Sequence, residues 1–112
     1  MKKSIIISGP KGSGKTRISE AIALTHSKVL RLWESQLMHN ENSTTTHENE
    51  TVSLIIIDGC TLDRILLIEN IHRAFCSSKS IDVSIVYLTQ EEISLDPSNA
   101  IFYVINCNNR IV

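Results

Sequence analysis

The chain lacks most of the features that would settle its class from composition. Lys and Arg number 11 against 12 Asp and Glu, a formal net charge of −1. No overall field therefore draws it to nucleic acid, and no Lys/Arg run does so locally, which leaves such binding unsupported rather than excluded. No stretch approaches the roughly 18 consecutive apolar residues of a membrane span. Near the N-terminus the apolar run is only Ile5-Ile6-Ile7, followed at once by polar residues, which does not read as a secretory leader. Three cysteines, Cys60, Cys76 and Cys107, form an odd set without a C-x-x-C pair. That argues against a disulfide framework or a four-ligand zinc site and for reduced thiols in a cytoplasmic setting. His72 and Cys76 stand one helical turn apart with Cys60 nearby, yet buried thiols are the expected reading. Asn42-Ser43-Thr44 matches the glycosylation pattern, which carries no weight in that compartment.

What remains is a small globular chain. It has 112 residues, 42% of them hydrophobic, enough for one domain that buries roughly two thirds of its unfolded surface. Strand-like runs at Ile5–Ser8, Lys28–Trp33, Val52–Asp58, Ile81–Leu88 and Ala100–Ile105 alternate with helical patterns. The pattern predicts a helix over Gly14–His26 with Ile18, Ala21, Ile22 and Thr25 on one face. A second helix is predicted over Leu62–Cys76, where Ile65, Leu67, Ile68, Ile71, Ala74 and Phe75 cover about half the circumference. Leu62 and Leu66 fall outside that half, and its breadth points to a contact beyond the sheet, such as a neighbouring subunit. Ser77–Ser80 reads as a turn, and Gln90–Leu95 as a short helix ended by Asp96-Pro97. Between Glu34 and Thr51 the chain is polar and long for a connection. A short helix near Ser35–His39 and a flexible insertion around Asn40–Glu50 are expected there. The β-α-β alternation argues for a helix-covered parallel sheet.

The chemistry concentrates after the first strand, in Gly9-Pro10-Lys11-Gly12-Ser13-Gly14-Lys15-Thr16. This fits G-x-x-x-x-G-K-[ST], set between a strand and a helix as that pattern requires. Glycines at 9, 12 and 14 let successive backbone N–H groups turn inward around an anion. The helix beginning near Gly14 aims its free N–H groups and dipole at the same point. Lys15 is the expected bridge to the terminal phosphates, Thr16 the magnesium-binding hydroxyl, and Lys11 and Arg17 add charge beside them. A second element, Leu54-Ile55-Ile56-Ile57-Asp58, is continuously apolar and ends in a carboxylate, as a fully covered strand leading to a metal-binding aspartate would. The plainer alternative for Asp58 is a helix cap, although Thr61 and Asp63 are better placed to cap.

With these two motifs the chain resembles the P-loop NTPase superfamily, specifically a minimal AAA-type or helicase-like ATPase core, over most of its length. The resemblance implies a three-layer αβα sandwich with a mostly parallel, roughly five-stranded sheet in a single domain spanning 1–112. It implies ATP or another nucleoside triphosphate with Mg²⁺ as cofactors, bound by residues Gly9 to Arg17. It also implies Thr16 and Asp58 as metal residues and Lys15, Asp58 and Gln90 as the catalytic set. Thr89 or Gln90, after the fourth strand, corresponds to the γ-phosphate sensor of such enzymes. The catalytic glutamate expected after the aspartate is absent: Gly59 and Cys60 stand there, which points to slow or partner-assisted hydrolysis. Asp63, Glu69, Glu91 and Glu92 are not compelling replacements. Arg64, Arg73 and Arg110 are the candidates for an arginine finger in an assembly, and the helical lid of AAA-type proteins is not expected, since the chain stops after the fifth strand. Two other readings stand beside this one. Asp58-Gly59 with Arg64 loosely resembles nucleoside monophosphate kinases, and the missing glutamate also fits a nucleotide-binding module without turnover.

Overall fold

A computed structural model of the chain describes residues 3–33, 52–95 and 99–107. The expected helix at Ser35–His39, the insertion at 40–50, Asp96-Pro97 and Arg110 lie outside them. The described residues form an α/β unit in the order β1 (Ser4–Ser8), α1 (Lys15–Ala23), β2 (Val29–Trp33), β3 (Leu54–Asp58), α2 (Leu62–Lys79), β4 (Ser84–Thr89) and β5 (Phe102–Asn106). All five strands belong to one sheet in the order β2-β3-β4-β1-β5, and every pairing is parallel.

Alternation along the strands divides the core in two. Ile6, Ile57, Ile85, Tyr87 and Phe102 cluster with Ile65 of α2. Their chain neighbours Ile7, Ile56, Val86 and Leu88 cluster with Ala23, Ile18 and Ile22 of α1. Successive strand residues point to opposite faces, so the continuous Ile/Val/Leu runs follow from burying both. Because the central strands are apolar on both sides, their existence was readable from sequence, and so were the carboxyl ends of the first three at Ser8, Trp33 and Asp58; the starts of the strands were not. The fourth strand begins at Ser84, three residues later than expected, and the fifth at Phe102.

Three expectations about the helices are corrected. The sheet-facing side of α1 consists of Ile18, Ser19, Ile22 and Ala23, while Ala21 and Thr25 are exposed. Ser19 is tolerated inside because its hydroxyl donates to Thr16 O at 2.8 Å. Ser77–Lys79 is the last turn of α2 rather than a separate turn, ended by Ser80 in the left-handed conformation (φ 56°). Lys79 there complements the negative end of the helix dipole. Gln90–Leu95 is not helical: the Glu91 N–H is taken by Thr89 Oγ1 at 3.1 Å, and Ile93 is drawn into the α2-side core.

The inner face of α2 also differs from its hydrophobic pattern. Leu62, Ile65 and Ile68 pack on the sheet, whereas Leu67, Ile71, Ala74 and Phe75 are exposed. At the centre of the inner face sits a carboxylate, Glu69, only 2% exposed. Tyr87 donates its hydroxyl to Glu69 Oε1 at 2.7 Å, Ser4 Oγ lies 2.8 Å from both carboxylate oxygens, and Arg73 Nε donates to Oε2 at 2.6 Å. A buried charge is tolerable only when paired and hydrogen-bonded in this way. Arg73 also reaches the Ile101 carbonyl at 3.3 Å, so the network joins α2 to β1, β4 and the approach to β5.

Burial, the hydrogen bond to Glu69 and that residue's charge push the Tyr87 phenol far above its usual range. The folded state therefore holds this proton where the unfolded chain, with an ordinary phenol near 10.0, releases it. The contribution is complete below pH 10 and declines above it, by about 1.4 kcal/mol per pH unit. Tyr87→Phe is expected to cost about 1–2 kcal/mol at neutral pH by taking one donor from a buried carboxylate. It should also flatten the alkaline loss of stability. Urea unfolding of both proteins at pH 7 and above pH 10 measures the two effects.

Candidate functional site

The carboxyl ends of the strands form the edge where the motif residues gather. Beyond β1 the ladder runs on by one residue: the Gly9 N–H donates to Thr89 O at 3.1 Å, and the Cys107 N–H donates to Ser8 O at 2.7 Å. Gly9 is therefore hemmed in. A Cβ there would lie 2.6 Å from both Cys107 O and Ser13 Oγ, closer than atoms can stand. The chain then turns through Pro10 and Lys11, with the Ser13 N–H donating to Pro10 O at 3.1 Å.

Gly14 is the N-cap of α1 at φ 97°, a conformation that favours glycine. It has no side chain to cap the helix, and the first turn holds no acidic residue. The amides opening α1 and the positive end of its dipole thus face the loop without a neutralising group from the helix's own first turn. The Lys15 side chain folds back over the loop and donates to Gly9 O at 2.7 Å and Pro10 O at 3.0 Å. Thr16 and Arg17 on the first turn, and Pro10, Lys11 and Gly12 in the loop, are exposed. Ser13 Oγ is buried with no hydrogen-bond partner among the described residues. Buried polar atoms are rarely left so, and this one sits beside the turn where an anion would be held. Concave backbone, helix terminus, lysine and spare hydroxyl together can bind a polyanion.

Asp58 closes β3, half-buried at the same edge. Its carboxylate makes no hydrogen bond or ion pair among the described residues, while its backbone belongs to the β2–β3 ladder. The cap of α2 comes from elsewhere: Thr61 makes no side-chain capping bond, Asp63 lies in the first turn, and Glu91 accepts the Leu62 N–H at 2.8 Å. Glu91 was not expected in this part, and nothing local in the sequence signals it, because the contact crosses from the segment after β4 to α2.

Strand order sets the spacing of the site. β4 lies between β1 and β3, so the Asp58 backbone stands two strand spacings, about 10 Å, from the end of β1. The register pairs Ser8 with Thr89 and Ile57 with Tyr87, which brings the end of β4 between the loop and Asp58. Thr89 is buried there with its hydroxyl engaged by Glu91, and Gln90 is exposed just beyond it. Gly59 follows Asp58 at φ 78°, with the Trp33 ring 3.4 Å from where its Cβ would be. Of the arginine candidates, Arg73 is committed to Glu69, and Arg64 is half-buried on α2. His72 and Cys76 do meet, at 3.4 Å, but His72 Nε2 also faces Val83 O at 2.7 Å. Ser8 Oγ donates to Asn106 Oδ1 at 2.6 Å, a contact across the sheet that no sequence pattern revealed.

No protein-family model matches the chain, and no curated protein is significantly similar to it.

The glycines differ in what they tolerate. Gly9→Ala drives a methyl against the backbone of Cys107 and should destabilise the fold by several kcal/mol or displace the loop. Gly12, at φ 81° with nothing within 4 Å of an added Cβ, should cost only about 1–2 kcal/mol as alanine. Denaturant midpoints of the two variants test the order.

Proposed function

We propose that the chain is a minimal P-loop ATPase, built as a three-layer αβα sandwich, that binds ATP or another nucleoside triphosphate with Mg²⁺ and hydrolyses it slowly or with a partner's help. The observation that carries this reading is the loop itself: Lys15 held over the glycine turn, at a helix terminus whose first turn has no acid, on the edge that also presents Asp58. In it the amides of Gly12 to Thr16 hold the phosphates, and Lys15 exchanges its two carbonyl partners for phosphate oxygens. Ser13 Oγ gains its missing partner in the same step.

The donor set fits magnesium in one particular way. Among the described residues no three His, Cys, Asp or Glu side chains converge to hold a metal, so these residues offer no cage. Mg²⁺ needs none, since it keeps several waters and binds through one or two protein oxygens plus the substrate phosphates. Thr16 and Asp58 would supply those two oxygens, from the first turn of α1 and the end of β3. When bound, the ion neutralises charge that develops between the phosphates. Of the two sensor candidates, Gln90 is the exposed one, while Thr89 is buried with its hydroxyl engaged by the Glu91 N–H, so a third phosphate would be felt by Gln90.

Slow turnover follows from Gly59. A glutamate that positions the attacking water normally follows the aspartate, and here the position has a left-handed φ of 78° beside Trp33. A side chain with a β-carbon is strained there by about 1–2 kcal/mol. The same fact favours, as the second reading, a module in which nucleotide binding matters and turnover is negligible. Membership of an assembly belongs to the proposal as well: a partner or a second copy would supply what the site lacks.

Calorimetry with Mg²⁺-ATP is expected to show binding, and Lys15→Ala to weaken it by at least about tenfold. Asp58→Asn should retain binding without metal but lose most of its enhancement by Mg²⁺. Absence of binding by any nucleoside triphosphate overturns the reading. Phosphate release indistinguishable from that of Lys15→Ala, with binding intact, selects the module over the ATPase. Gly59→Glu is expected to lower stability without raising turnover, measured by denaturation and phosphate release together.

A further inference from the structure

The outer face of α2 carries a stripe that its own sheet does not use. Leu67, Ile71 and Phe75 recur at four-residue spacing and are 51%, 62% and 49% exposed. The same row begins with Asp63 in the first turn and ends with Lys79 in the last, both exposed. About Ile71 the row is complementary to its own reverse. Leu67 and Phe75 stand one step either side, and Asp63 and Lys79 two steps, with opposite charges.

From this we infer that the stripe docks a second copy of the chain, α2 against α2, antiparallel about a two-fold axis near Ile71. Rows of residues four apart align between two helices that cross at about 50°. In the antiparallel arrangement Leu67 meets the second copy's Phe75 and Asp63 meets its Lys79, each twice by symmetry. A parallel arrangement sets Asp63 against Asp63 and Lys79 against Lys79, and like charges oppose it. One helix pair covers less than the roughly 1,200 Å² of a standard interface, so the dimer is weak and concentration-dependent.

The dimer has a consequence for the phosphate loop. α2 begins beside the carboxyl edge of the sheet, where Leu62 is held by Glu91, and runs to the opposite edge. Antiparallel pairing therefore puts the two loops at opposite ends of the dimer, and neither chain completes the other's site. The inference stands independently of nucleotide binding.

Sedimentation equilibrium on the full chain, from about 5 to 500 µM, tests it. The wild type is expected to pass from one chain to two, and Ile71→Asp to stay monomeric with unchanged circular dichroism and unchanged ATP affinity. Asp63→Lys and Lys79→Asp should each weaken dimerisation by about tenfold, and the double exchange should restore it. Should Ile71→Asp fail to fold, the two charge variants, at exposed positions, still decide the matter. A wild type that stays monomeric throughout, whether another segment or another protein covers the stripe, overturns the inference. So does an Ile71→Asp protein that dimerises like the wild type, or a double exchange no stronger than the single variants.

Discussion

The parallel ladder through β4 is the constraint on which the rest of the structure depends. It fixes the register of β1 on one side and β3 on the other, so the carboxyl ends of three strands finish at one edge. A slip of one residue would turn every side chain in a strand to the opposite face. With isoleucine, valine or leucine on both faces, burial alone would not forbid such a slip. Tyr87 does, because its hydroxyl donates to Glu69 on the α2 side, and a slip would turn it away from that acceptor.

The α2 face of the sheet and its carboxyl edge thus differ. Between the sheet and α2, Glu69, Ser4, Arg73 and Tyr87 form a closed polar network in which each charge has a partner. At the carboxyl ends, by contrast, Ser13 Oγ and the Asp58 carboxylate have no partner among the described residues, and Lys15 donates to two neutral carbonyls. Satisfied polar groups stabilise a fold, and unsatisfied ones mark where it is prepared to bind. That contrast, more than the motif, supports placing a polyanion at the loop.

Gly59 and the outer stripe of α2 bear on the same proposal from different sides. The backbone after Asp58 has a left-handed φ beside Trp33, so a side chain there is strained, and under the proposed reading fast turnover would need help from outside a single chain. The stripe offers a way to self-associate, yet in the orientation its charges favour it keeps the two loops apart. Help with hydrolysis would then have to come through a different surface.

The strands and the glycine loop were legible because each has a local cause: apolar runs for covered strands, glycine where the backbone must turn or crowd. Asp58 at a strand end was legible for the same reason. The face of α2 was misread because periodicity scores a glutamate as polar and cannot know that Tyr87, Ser4 and Arg73 will pair with it. Likewise, Glu91 capping α2 in place of Thr61 depends on where the segment after β4 leaves the sheet. By itself the sequence determined an α/β chain with a glycine-rich G-x-x-x-x-G-K-T loop after its first strand and an aspartate two strands on. Only the tertiary structure decided that β4 lies between them, that Cys107 crowds Gly9, and that Leu67, Ile71 and Phe75 face outward. Each of these depends on which distant segments become neighbours when the strands align, and no local pattern encodes that.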